Sequence, residues 1–202
     1  MIETQSVKDF RIKTIYHPLN KNSRLEDLLL NNNEVPTTLP RLQALCQAAR
    51  TNLPHLSKKD IFVMDSSPAV ILGAMTGVGR EVIVNVGNGH TLAAVTENGN
   101  VEIIYETHTG GLVPENFTRD LNKIIKGELS HEEILTKGGH GAYINSKFQN
   151  SNRQLEQYYP INLIGPNRNI LKSNFSIYSH PGGNMMMAGP MGMIKAWKYR
   201  YS

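Results

Sequence analysis

The stretch from 81 to 108 constrains the fold more than any other part of this chain. Glu81–Val86 (EVIVNV), His90–Thr96 (HTLAAVT) and Val101–Thr107 (VEIIYET) are rich in β-branched and apolar residues and have the length of ordinary strands. Only short turns separate them. Glu97-Asn98-Gly99-Asn100 is a strong hairpin signal, because Asn-Gly takes up the left-handed positions of a tight turn at little steric cost. Gly87-Asn88-Gly89 is equally short, so the three segments are predicted to form an antiparallel meander ending at Gly110-Gly111. A helix should follow from Pro114 to about Lys126, with Phe117, Leu121, Ile124 and Ile125 on one stripe.

On either side the pattern is less regular. Residues 1–40 are polar, with Asn31-Asn32-Asn33, Pro36 and Pro40 reading as loop and one helical piece at Arg24–Leu30. A helix at Arg41–Thr51 puts Leu42, Leu45, Cys46 and Ala49 on one face. Ile61–Met64 reads as a short buried strand ending at Asp65. Ser66-Ser67-Pro68 then opens a helix over Ala69–Met75, which Thr76–Gly79 breaks. Beyond the meander and its helix, a short helix at Glu132–Lys137 runs into Gly138-Gly139-His140-Gly141. The 145–160 stretch reads as polar loop with one helical turn. Ile161–Ile164 is a buried strand stopped by Gly165-Pro166, Ser176–Ser179 is another, and Pro181-Gly182-Gly183 leads into a final helix, Asn184–Lys198. The class is α/β with a mixed sheet: a three-stranded meander followed by alternating helices and strands. The divisions expected are 1–60, helix and loop; 61–80, a strand plus a connecting helix; and 81–202, the main lobe.

Composition removes several kinds of chemistry. Cys46 is the only cysteine, which excludes an intrachain disulfide, a thiolate metal cage and an iron–sulfur triplet, and fits a reduced, cytoplasmic setting. Apolar residues make up 40% and charged residues 19%, an ordinary globular balance. The net charge is +4, but basic residues are scattered singly, so nucleic-acid binding is permitted and not indicated. No apolar run approaches the ~18 residues of a membrane span. The N-terminus has neither the basic start nor the apolar stretch of a signal peptide.

The turn Gly87-Asn88-Gly89-His90-Thr91 admits two readings. It is either a plain hairpin or a phosphate-type turn, in which flanking glycines let an anion approach successive backbone amides and the Thr91 hydroxyl. The second reading requires Gly87 and Gly89 at a tight strand connection, at least one with positive φ or with its amide facing an open cleft.

The histidines also admit two readings. His90, His108, His140 and His180 sit beside small residues at predicted strand or helix ends. They are either hydrogen-bonded loop histidines or, with Glu106, the lining of a site for zinc or another transition metal with hydrolytic chemistry. None of them has the spacing of a helical zinc motif, which favours the first. Met185, Met186, Met187, Met191 and Met193 read as packing beside Gly189 and Gly192 rather than as soft-metal ligands. Lys195, Lys198 and Arg200 read as the basic end of a helix.

Taken in order, several segments resemble the two-lobed nucleotide-binding fold shared by actin, the large heat-shock chaperones and the sugar kinases. Asp65 with the SPAVILGA run that ends at Ala74 resembles the first connecting helix, and VNVGNGHTLAAV (84–95) the second phosphate hairpin. INLIGPNR (161–168) resembles the adenosine-site strand, and HPGGNMMMAGPMGMIKA (180–196) the second connecting helix. More closely, the segment from Val63 to Ala74, VGNGHTLAAV, ETHTGGL, GELSHEEILTKGGHGAY and GPNR resemble an uncharacterised prokaryotic family of actin-like ATPase fold, over about residues 37–196. Its members are labelled pyruvate formate-lyase activating enzyme-like. That label implies three cysteines on an iron–sulfur cluster, which a chain with Cys46 alone cannot supply.

The resemblance implies a ribonuclease-H-like lobe that binds ATP with Mg²⁺. Gly87, Asn88, Gly89, His90 and Thr91 would cradle phosphate, with His108 beside them and Gly165 and Arg168 bordering the adenosine. Asn85 stands where the family has a carboxylate, so the chain alone is not expected to hydrolyse ATP efficiently. No counterpart of the family's first phosphate loop is found. The strand at 61–64 and the apolar face of Val70, Ile71 and Met75 therefore need cover, from a separate chain carrying a first lobe, from a homodimer, or from residues 1–50.

Overall fold

The computed structural model describes residues 7–148, 154–158 and 160–202. In chain order the first elements are helices α1 (Val7–Tyr16) and α2 (Leu19–Asn22), strand β1 (Leu30–Asn31), helix α3 (Pro40–Asn52), strand β2 (Phe62–Val63) and helix α4 (Ser66–Ala74). Strands β3 (Arg80–Val86), β4 (His90–Glu97) and β5 (Asn100–His108) follow. Then come helices α5 (Pro114–Ile125) and α6 (His131–Thr136), strands β6 (Gly141–Ile144), β7 (Ile161–Ile164) and β8 (Ser176–Tyr178), and helix α7 (Ala188–Tyr201).

Six strands form one mixed sheet in the order β6-β5-β4-β3-β7-β8. The meander is present as expected, with Val86 opposite Thr91 across the first turn and His90 opposite His108. Asn98 and Gly99 both have positive φ, as a tight Asn-Gly hairpin requires. After the meander the chain crosses over and adds β7, then β8, parallel to β3 on its other side. A meander on one side of the first strand and parallel strands on the other is the ribonuclease-H-like arrangement. β6 extends it, antiparallel to β5.

Both faces of this sheet are covered, which explains why the central strands read as near-continuous apolar runs. Val82, Val84, Ala93, Val95 and Tyr105 pack under Phe117, Leu121 and Ile124 of α5. On the opposite face Ile83, Leu92, Ala94 and Ile104 meet α4, α7 and the N-terminal segment. There α4 and α7 cross backbone to backbone. A Cβ on Gly73 would lie 2.7 Å from the Ala188 carbonyl carbon, and one on Gly192 would lie 2.9 Å from that of Ala69, closer still to the oxygens. The Lys195 ammonium donates to the Leu72, Gly73 and Met75 carbonyls at 3.1, 3.1 and 2.7 Å, satisfying the end of α4.

Of the three kinds of cover expected for α4, the chain's own N-terminal residues supply one. Ile12, Ile15, Tyr16, Leu19, Leu25, Leu28 and Leu29 are buried in the same core as Ile71, Leu72 and Met75. β1 pairs antiparallel with β2, so one edge of the 62–63 strand is bonded.

Several expectations need correction. Val7–Tyr16 and Leu19–Asn22 form two helices that were not expected, and 24–30 holds only a 3₁₀ turn, Leu25–Leu28, followed by β1. β6 was not expected. α7 starts at Ala188, after short 3₁₀ turns at Pro181–Gly183 and Met185–Met187, rather than at Asn184. Within 145–160 there are two 3₁₀ turns, Ser146–Phe148 and Leu155–Tyr158, while 149–153 and 159 lie outside the described residues.

Candidate functional site

β3 leaves the sheet's centre toward β4 and β5 on one side, and the chain returns to its other side as β7. The carboxyl ends of β3 and β7 therefore flank the point where the strand order reverses, the place where open α/β sheets form ligand crevices. The turn 87–89 follows β3, and the segment 165–168 follows β7. These two pieces meet.

Gly165, with φ +99°, is forced by that meeting. A Cβ there would lie 2.5 Å from the Val86 carbonyl oxygen and 2.7 Å from Asn85 Oδ1. Asn167 then ties the two ends together. Its amide N–H donates to the Val86 carbonyl at 3.0 Å, and its Nδ2 donates to the Gly87 carbonyl at 3.0 Å and to Asn88 Oδ1 at 3.2 Å. Sequence reasoning missed Asn167. Its position directly after the Gly165-Pro166 strand stop was the available signal.

Within the turn, neither Gly87 nor Gly89 has a positive φ. Gly87 is required for space instead, since a Cβ would lie 2.8 Å from the His90 carbonyl oxygen, which accepts the Gly87 N–H at 3.0 Å. A Cβ on Gly89 would meet nothing within 4 Å. Asn88 and Gly89 are exposed, and their N–H groups have no partner among the described residues. Asn85, 8% exposed, lies beneath the turn on the face that carries α4 and α7. Thr91 is fully buried, with its hydroxyl 3.0 Å from that of Thr109. The Arg168 guanidinium stacks 4.6 Å above the Tyr178 ring.

The histidines divide. His90 opens β4 and His108 closes β5, directly opposite each other in the ladder. His140 arrives just before β6, with its N–H donating to the Glu106 carbonyl at 3.1 Å. The three rings pack with centroids 4.2 to 5.5 Å apart. His180 is exposed and outside this group. Glu106 is fully buried two residues before His108 on the same strand face.

Beside His108 opens a cleft of about 290 Å³, lined also by Tyr105, Phe117, Asp120 and Lys137. Burial, reinforced by the Asp120 carboxylate and opposed by a hydrogen bond with Thr107, pushes the Tyr105 phenol up to about 12. Cys46 is remote in another sense: it is buried with Leu42, Ile61 and Val63 in a separate small core, and burial pushes its thiol up, partly offset by Arg50. Nothing there fits an iron–sulfur cluster, which needs several thiolates around one centre. No helix among the described residues is long and apolar enough to cross a membrane.

No curated protein matches the chain. Among solved structures, MreB5 of Spiroplasma citri, whose crystal structure was determined bound to ADP, is similar at 14% identity with a TM-score of 0.40, covering 83% of this chain and 69% of that one. Residues 1–170 match the family described as "Putative pyruvate format-lyase activating enzyme (DUF1786)". That description names a chemistry which the single buried Cys46 does not serve. The match takes in α1 through β7, the turn 87–89 and Gly165-Pro166-Asn167-Arg168, and by it the chain belongs to the DUF1786 family.

Proposed function

We propose that the surface at the carboxyl ends of β3 and β7 binds the phosphate chain of a nucleotide such as ATP. The observation that carries this reading is the pair of successive N–H groups, Asn88 and Gly89, without a partner among the described residues and exposed at the point where the strand order reverses. Two adjacent amide donors form a small anion-binding concavity that costs no side-chain entropy to organise. Asn167 holds this turn against the loop after β7, so the donors are preorganised rather than mobile. His90, half-buried at the end of the turn, adds a ring donor, and His108 sits across the ladder from it.

Gly165 and Arg168 border the position of the nucleoside in this reading. Arg168 already stacks on Tyr178, so it would offer its edge rather than its face. The Thr91 hydroxyl is turned to Thr109 and contributes through packing under the turn. The Asn85 amide could hydrogen-bond a water on Mg²⁺ but would supply the ion no charge, and position 85 offers no base to a water molecule. Nucleotide binding is therefore expected without efficient hydrolysis by this chain alone, and any hydrolytic partner would be a separate chain.

The test is calorimetric titration of ATP and ADP, with and without Mg²⁺, into the full chain and into Gly89→Val. Position 89 has room for a side chain, so the variant should keep its fold while covering the two amides. Saturable binding that the valine abolishes supports the reading. Absence of binding in the parent chain, or equal binding in both proteins, overturns it.

A further inference from the structure

We infer that His90, His108 and His140 form a site for one divalent transition-metal ion of the zinc class, with a coordination position left open toward solvent. The three residues are 18 and 32 positions apart along the chain, and no motif unites them. The fold does. β4–β5 pairing sets His90 against His108, and the Glu106 carbonyl anchors the His140 amide beside them. One nitrogen from each ring can be chosen so that all three lie within 4.8 Å of one another. His140 Nε2 is 3.0 Å from His108 Nε2 and 3.3 Å from its Nδ1.

A tetrahedral ion with zinc–nitrogen bonds of about 2.0–2.1 Å needs its ligand nitrogens about 3.3 Å apart. The present triangle, with its nitrogens within 4.8 Å of one another, is wider than that, so the rings would have to turn toward the ion. A cation can accept one lone pair from each of the three neutral imidazoles at once. Imidazole donors select zinc, cobalt, nickel or copper over magnesium. Three protein ligands with a vacant fourth position is the make-up of reactive zinc sites, whereas structural ones are closed by four.

Burial is graded to match. His140 is buried, His90 half-buried and His108 exposed, so the ion is held from below and reached from above. Glu106, one residue pair deeper on the same face, adds a buried carboxylate behind the rings. The site is independent of the nucleotide reading, although His90 joins the two regions.

Cobalt(II) tests this directly, because its visible spectrum reports coordination. The full chain, freed of any affinity tag and stripped with chelator, is titrated with Co²⁺ in the absence of nucleotide. Native mass spectrometry gives the stoichiometry. One ion per chain is expected, with the intense visible bands of four- or five-coordinate cobalt, displaced by Zn²⁺. His108→Ala removes an exposed ring and should weaken binding by at least about 100-fold while leaving the apo-protein's circular dichroism and melting unchanged. His90→Ala is the second variant should His108→Ala fold poorly, and His55→Ala, exposed elsewhere, should bind like the parent chain. No saturable binding, the weak spectrum of six-coordinate cobalt, or binding indifferent to both His108→Ala and His90→Ala overturns the proposal. A chain that binds cobalt but not ATP refutes only the nucleotide reading.

Discussion

The backbone contact between α4 and α7 allows a quantitative test of how these two buried helices are held. Gly192→Ala adds one methyl group to α7 at its crossing with α4, where the Cβ would lie 2.9 Å from the Ala69 carbonyl carbon. Comfortable carbon–carbon contact is about 3.5–4.0 Å, so the helices must part by roughly 1 Å. No side-chain rotation relieves the clash, because the obstructing atoms are backbone. A gap of that size forfeits about a quarter to a half of each contact along the crossing, where Ala69, Ile71, Leu72, Ala188 and Ala196 are all almost fully buried. Overpacking of this kind costs about 3 kcal/mol, and alanine's better helix propensity returns about 1. The net expectation is destabilisation by about 2 kcal/mol, or a melting point lower by roughly 4–8 °C for a chain of this size.

Two controls sharpen the result. Gly189→Ala on the same helix meets only Val70 Cγ2, at 3.9 Å, and should be neutral or stabilising by under about 1 kcal/mol. Gly73→Ala alone should cost as much as Gly192→Ala. The double variant should cost less than their sum, since one separation of the helices relieves both clashes. Urea denaturation followed by circular dichroism reads the four variants beside the parent. Gly192→Ala with a midpoint equal to or above that of the parent would refute the packing account, and so would strict additivity of the two glycine changes.

Two further outcomes follow from the site and its surroundings. Gly165→Ala combines a left-handed φ with a Cβ 2.5 Å from the Val86 carbonyl oxygen, so it should destabilise the chain by about 3 kcal/mol; a urea midpoint within error of the parent would refute the account of the β3–β7 junction. Tyr105, raised to about 12 when folded, loses its proton first in the unfolded chain, so its contribution to stability is complete below about pH 10 and drains away between there and about 12. Melting points across that range should fall more steeply for the parent chain than for Tyr105→Phe, and parallel curves would contradict the burial argument.

The meander was legible because its signals are local. Asn98-Gly99 names its own turn, and α5 shows its buried face as Phe117, Leu121 and Ile124 at helical spacing. The small residues Gly73 and Gly192 likewise announce a close helix crossing in the sequence itself, whereas Gly189 reads the same way and has only Val70 near it. α1 was not legible. Ile12, Ile15, Tyr16 and Leu19 have helical spacing, but Lys13, Thr14 and Pro18 dilute the pattern, and so short a helix gains its stability from docking rather than from propensity. β6 was hidden for a related reason: four residues after a glycine-rich run become a strand only because β5 offers them an edge.

The candidate site divides along the same line. Gly87-Asn88-Gly89 and Gly165-Pro166 each marked a strand end in one dimension, since glycine and proline act on the backbone within a residue or two. That the two ends touch, and that Asn167 bonds across them, follows from β7 pairing with β3 after a crossover that no local pattern encodes. The histidines show the limit most plainly. Residue type made His90, His108, His140 and His180 equal candidates, whereas strand register brought three together and left the fourth exposed. Register is decided by the burial of whole strand faces in competition with one another, a property of the assembled sheet, and slipping β4 against β5 by one residue would have carried His90 to the opposite face.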